Sequence, residues 1–182
     1  VAYLGVAFAD EGIELRKAGI TTPIMVLNPE NSRFRAMIAH NLEPEIYSIT
    51  GLKAFLKIAP EQNISNYPIH IKLDTGMHRL GFESHQISAL CDLLKNNNFI
   101  QVKSVFSHLA GSDDKKLDAF TQLQFQRYDT MFLELEKVLS SKPIRHILNT
   151  SGIFNYPEKQ MEMVRLGIGL YGIGNSEEEL QA

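Results

Sequence analysis

Short apolar runs alternate with amphipathic stretches along this whole chain, and that rhythm limits the fold more than any single residue does. The runs Tyr3–Phe8, Pro23–Leu27, Glu45–Ser48, Pro68–Asp74, Val102–His108, Pro143–Leu148 and Met163–Tyr171 read as strands. Between them, Asp10–Ala18, Asn31–Asn41, Thr50–Ile58, Ser84–Lys95 and Leu117–Leu139 carry the spacing of helices, and Gly19 closes the first of these. Strand–helix alternation of this regularity predicts a parallel sheet, because parallel neighbours need a crossover connection. Three strands open on Pro-Ile, at Pro23, Pro68 and Pro143, where proline costs no ladder donor.

Two α/β architectures compete. A doubly wound open sheet usually carries a glycine-rich phosphate loop after its first strand. The segment Phe8-Ala-Asp-Glu-Gly12 is not such a loop. A (β/α)₈ barrel instead gathers its functional groups at the C-terminal ends of several strands. Asp74, His108, Asn149 and Thr150 fall at such ends, so the expectation is an incomplete barrel of about seven βα units. Residues 1–174 read as one barrel domain, and residues 175–182 as a polar tail leading out of it.

Composition narrows the partners. The chain of 182 residues is 44% hydrophobic and 21% charged, with a net charge of −3, an ordinary globular mixture. Nothing in it favours nucleic acid or an anionic membrane surface. No apolar run approaches the roughly 18 residues of a membrane span. Cys91, the single cysteine, allows no internal disulfide, fits a reducing compartment and reads as a small core residue. The chain opens on Val1 inside a strand-like run, which reads as a fragment boundary.

Four stretches carry the chemistry. In Ile71-Lys-Leu-Asp-Thr-Gly-Met-His-Arg-Leu-Gly81, alternation puts Ile69, Ile71 and Leu73 on the helix side and His70, Lys72 and Asp74 inside the barrel. Buried charges there need partners, and Arg79 can lean back over the mouth; an internal ion-pair network is the other reading. In Ser104–Asp113, His108 ends a strand and Asp113 lies in the loop beyond; a satisfied core histidine is the plainer account. In His146–Gly152, a strand runs into Asn149, Thr150 and Ser151, which suit either a phosphate or a helix cap. In Val164-Arg-Leu-Gly-Ile-Gly-Leu-Tyr-Gly172, three glycines interrupt a strand, and Arg165 shares the parity of Gly167 and Gly169. An arginine directed inward cannot shed its charge and needs acceptors, whether for function or for an internal salt bridge.

These motifs, together with Ile24–Leu27 and Phe106-Ser-His-Leu-Ala110, resemble the alanine racemase family in order and spacing over nearly the whole chain. The resemblance implies a pyridoxal-phosphate barrel. Arg165 matches the arginine at the cofactor's pyridine nitrogen, His146 the histidine that orients it, and His108 the histidine beside the ring. Thr150, usually serine in the family, matches the phosphate cradle with Gly167 and Ile168, and Asn149 counts among the cofactor-binding residues. Arg79 matches the arginine at the cofactor's phenolic oxygen and the substrate carboxylate. Lys72 matches a lysine that is carbamylated in some members, and Leu27 a residue lining the cofactor site. No metal site is implied. An arginine at the pyridine nitrogen leaves the ring a weaker electron sink.

The family's Schiff-base lysine lies in a Val-Lys-Ala-Asn-Ala-Tyr-Gly segment, which does not occur here; nor does the partner subunit's tyrosine base. The resemblance therefore implies a parent isomerase, a cytoplasmic homodimer making D-alanine for peptidoglycan, of which this fragment is inactive alone. Two alternatives stand beside it. Pyridoxal-phosphate homeostasis proteins share the Asp-Thr-Gly-Met turn but lack the Arg-Leu-Gly-Ile-Gly-Leu-Tyr-Gly ending. A non-catalytic racemase-like module of a larger protein, such as a cell-wall ligase fusion, is the other.

Overall fold

The computed structural model describes residues 1–95 and 97–174. Its frame is one all-parallel sheet of six strands in sequential order: β1 (Leu4–Val6), β2 (Ile24–Val26), β3 (Glu43–Ile46), β4 (Tyr67–Lys72), β5 (Ile100–Phe106) and β6 (Ile144–His146). Helices α1 (Ala9–Lys17), α2 (Phe34–Ala39), α3 (Ile49–Ile58), α4 (Ile87–Leu94) and α5 (Asp118–Glu136) each link one strand to the next, and α6 (Thr150–Asn155) follows β6. Sequential order with every neighbour parallel is the topology of an incomplete α/β barrel.

Side-chain alternation explains which face is which. Ile24, Val26, Ile46, Ile69, Ile71 and Val105 join Phe34, Leu52, Phe55, Leu90 and Tyr128 in one apolar core. The expected helix-side face of β4 is therefore found, Leu73 included. Helix ends follow local chemistry. Ser48 Oγ accepts from Gly51 N at 3.0 Å to cap α3, and Gly19 takes φ +86° just beyond α1. Cys91 lies buried on α4, its thiol reaching toward the Glu134 carbonyl of α5.

Two strand expectations change, and one irregularity in pairing is new. The strand expected from Glu45 begins at Glu43, which adds a second carboxylate to β3. The β4–β5 ladder slips between Ile69 and His70, so that Ser104, not Lys103, pairs with His70. That bulge leaves Lys103 exposed and lets Val102 and Val105, three residues apart, both join the core. The seventh strand does not form. Met163 N donates to Arg145 O and Arg165 N to Leu148 O, after which the chain bends and closes in a 3₁₀ turn over Ile168–Tyr171. The reason is chemical: the amides of Gly167 and Gly169 both donate to Thr150 Oγ1, at 3.1 and 3.3 Å, and are lost to any ladder. The parity argument that placed Arg165 inside thus fails, although Arg165 does turn inward. The expected tail 175–182 lies outside the described residues.

Candidate active site

The inner face of the sheet carries polar groups on successive strands. β3 contributes Glu43 and Glu45, β4 contributes His70 and Lys72, β5 contributes Ser104 and Phe106, and β6 contributes His146. Parallel pairing sets Glu45 beside His70, His70 beside Ser104, and Phe106 beside His146. The loop after β5 adds Ser107 and His108, and the segment after α6 adds Arg165.

Arg165 is the hub. Its Nη1 donates to His146 Nδ1 at 2.6 Å, and its Nη2 to the carbonyls of Ser107 at 2.7 Å and Ile147 at 3.3 Å. His108 Nδ1 stands 3.4 Å from Nη2, and the guanidinium lies over the Phe106 ring at 5.1 Å. Burial pulls the arginine down to about 10, which leaves it a cation at neutral pH. That cation, after burial, is the next largest cause holding His108 down at about 4 and His146 well below the usual histidine range. Both imidazoles are neutral at pH 7.

Neutrality and donor geometry together assign the tautomers along a chain of five groups. Arg165 donates to His146 Nδ1, so the His146 proton sits on Nε2, 3.0 Å from Ser104 Oγ. The serine hydroxyl then donates to His70 Nδ1 at 2.7 Å. His70 Nε2 in turn donates to Glu43 at 2.8 Å. One cation and one carboxylate terminate the chain, and each interior group both gives and takes one hydrogen bond. Phe106 stacks on His146 with ring centroids 4.6 Å apart, and Tyr3 meets His70 edge-on at 5.5 Å.

Lys72 is treated differently. Its Nζ lies 3.2 Å from Glu45 Oε1 and 5.6 Å from the centre of the Phe106 ring. Glu45 is 0% exposed, and neither of its oxygens has an aligned hydrogen bond. Burial pushes Glu45 up to about 7 against the pull of Lys72, Arg165 and Arg79.

The other expected residues divide. Asn149 Oδ1 caps α6 through Gly152 N at 3.0 Å and accepts from Ser112 Oγ at 2.8 Å. Asp74 accepts from the amides of Gly76 and His78, shaping the turn before Arg79. Gly81 closes that turn at φ +134°, where an added Cβ would stand 2.5 Å from Asp74 N. Arg79 is exposed, and its charge is felt by both Glu45 and His108. Leu27 sits half-buried beyond β2, Asp113 is exposed, and Ile168 is 54% exposed. None of these three joins the Arg165 cluster by a hydrogen bond. Sequence reasoning missed Glu43, Glu45, Ser104 and Ser107. The two glutamates share strand parity in Glu-Pro-Glu-Ile, a readable signal once β3 starts at Glu43; Ser104 needed the bulge, and Ser107 enters through its backbone carbonyl.

A family model described as "Alanine racemase, N-terminal domain" matches residues 1–175. The chain belongs to that family. Alanine racemase 1 of Oceanobacillus iheyensis is 38% identical over 173 residues, 94% of this chain and 46% of the relative. Alanine racemase of Clostridium tetani is 38% identical over 178 residues, 96% of this chain and 45% of that protein. The chain thus spans less than half the length of these curated relatives. Among solved structures, an alanine racemase of Clostridium difficile 630 superposes with a TM-score of 0.89 at 31% identity, covering 98% of this chain and 46% of that one. That of Corynebacterium glutamicum gives 0.85 at 26% identity, covering 95% and 49%. Among the described residues no helix is long and apolar enough to cross a membrane.

Proposed function

We propose that this chain forms the cofactor-holding part of a pyridoxal-phosphate-dependent alanine racemase. The observation that carries this reading is Arg165, a cation clamped by His146 and two carbonyls beside His108 at the polar floor of the barrel. The donor set fits the cofactor. The amides of Gly167 and Gly169 converge on Thr150 Oγ1, a shared acceptor whose place a phosphate oxygen would take, and an added Cβ on Gly169 would stand 2.7 Å from Thr150 Cγ2. Such convergent N–H groups suit a phosphate. Thr150, Gly167 and Ile168 would hold that phosphate, and Arg165 would face the pyridine nitrogen.

Pyridoxal phosphate, when bound, supplies an electron-withdrawing ring that acidifies the α-proton of an amino acid. Arg165 keeps its protons, so it would donate a hydrogen bond to the ring nitrogen without protonating it. Neutral His146 fixes the guanidinium plane through its Nδ1 lone pair. His108 and Leu27 would border the ring, Asn149 would brace the cradle, and Arg79 would meet the substrate carboxylate from the mouth. In the parent protein we assign interconversion of L- and D-alanine by a cytoplasmic homodimer supplying peptidoglycan precursors. The two proton-transferring bases lie outside the motifs matched here, so the 182-residue chain binds cofactor without racemising.

The test is an absorbance titration with pyridoxal phosphate. Arg165→Ala should weaken binding about tenfold to a hundredfold, the value of one charge-assisted hydrogen bond. Equal affinity of the variant and the wild type would remove the reading. L-to-D conversion of alanine by the purified chain would overturn its inactivity.

A further inference from the structure

β3 carries two carboxylates, Glu43 partly buried and Glu45 fully buried, and only Glu43 is explained by the Arg165 chain. Glu45 is fully buried, and both of its oxygens lack an aligned hydrogen bond. Taking a carboxylate out of water is costly unless a cation repays it. Among the described residues, the cation within 4 Å of it is Lys72, also buried, at 3.2 Å. Register enforces the encounter. Glu45 pairs with His70, one inward position before Lys72 on the adjacent strand, so the two chains meet diagonally on the inner face.

We propose that Glu45 is the resident counter-anion of Lys72 and takes the place that a lysine carbamate would otherwise fill, so that Lys72 remains an unmodified ammonium. Carbamylation requires the neutral amine. Its lone pair forms a bond to the carbon of carbon dioxide, and the nitrogen releases one proton to water. The ion pair opposes this twice. It holds the proton on Nζ, and it sets a carboxylate where the new carbamate anion would form, so that two like charges would share a buried site. The charge that a carbamate would bring to the barrel floor is already encoded at Glu45, within reach of the fields of Arg165 and Arg79. The inference rests on barrel geometry and does not depend on the cofactor reading.

The full-length protein carrying this chain, equilibrated with ¹³C-labelled bicarbonate at pH 8, tests it by carbon NMR. The wild type should show no carbamate carbonyl resonance. Glu45→Ala, which removes the anion and opens its space, should gain one that disappears in Glu45→Ala/Lys72→Ala. A wild-type resonance abolished by Lys72→Ala would overturn the proposal, and the wild-type spectrum alone decides this if the alanine variant fails to fold. A folded Glu45→Ala protein with no resonance would also overturn it, because Glu45 would then not be what excludes the carbamate. The readout is independent of cofactor binding, so its failure would leave the proposed function untouched.

Discussion

Glu43 and Glu45 lie two residues apart on β3, on one face of one sheet, yet they meet different fates. Glu43 ends a hydrogen-bonded chain in which every group from Arg165 through His146, Ser104 and His70 has a matched partner. Glu45 has a cation close by but no aligned donor. Glu43 is partly buried and Glu45 fully so, and the geometry of their partners separates them further. Imidazole and hydroxyl groups are directional, and across three strands their atoms fall at hydrogen-bond spacing. The lysine ammonium is a point charge on a flexible stem, and it satisfies charge without satisfying direction. A barrel floor therefore holds two kinds of polar structure: a wired one that fixes orientation, and an ionic one that balances charge.

The largest test of that contrast is a double-mutant cycle in urea. Glu45→Met should cost about 3 kcal/mol, because it strands buried Lys72, whereas Glu45→Met/Lys72→Met should recover most of the loss. Additive losses would mean that the two groups do not balance each other. Cutting the wired region in its middle should cost somewhat less. Ser104→Ala removes the shared partner of two buried imidazoles, an expected loss of about 2 kcal/mol. The nitrogen-15 shift of His146 Nε2 should also move as its proton loses the serine acceptor, while Arg165 keeps the tautomer; a proton found on His146 Nδ1 would break the assigned direction of the chain.

The smallest effect is a slope in the pH dependence of stability. Glu45 is held up near 7, above its ordinary 4.5, so the folded state binds its proton more tightly. That contribution is complete below about 4.5 and is lost as pH rises through 7. His108 is held down near 4, and His70 and His146 are also lowered, so their contribution is complete above 6.5 and is lost as pH falls. Between 6.5 and 4.5 the two trends oppose, and three imidazoles outweigh one carboxyl. Thermal melts should show stability falling below pH 6.5, and Glu45→Gln should steepen that fall by up to about 1.4 kcal/mol per pH unit. Superimposable profiles would show that Glu45 does not titrate there.

Much of this was legible in residue patterns, and the failures share a cause. Period-two alternation identified the helix side and the inner side of β4, since Ile69, Ile71 and Leu73 on one side and His70 and Lys72 on the other follow from chain geometry alone. Arg165, His146 and His108, named from separate motifs, meet within hydrogen-bond range. What alternation could not carry was any position where the period breaks. Ser104 and Phe106 face inward only because β5 slips by one residue, a slip decided by pairing with β4. The strand expected over Met163–Tyr171 was lost to a competition between ladder bonds and the Thr150 hydroxyl. Alternation placed Asp74 with His70 and Lys72 but did not reveal that its carboxylate is spent on two local amides. Each miss lies where a tertiary partner outbid a local rule.

The slip in β5 also sets how the gene can change. Lys103 is the exposed, surplus residue of that strand, the kind of position at which a lost codon usually does little. Here, removing it would restore strict alternation across the strand. Val102 and Ser104 would then become direct neighbours, the valine still on the helix side and the serine still facing inward, so that Ile69, His70 and Ile71 would meet Val102, Ser104 and Val105 in an unbroken ladder. A one-codon deletion at this exposed lysine should therefore keep both layers, whereas losing any other single codon of the strand would push core methyl groups and the histidine wire toward each other's side.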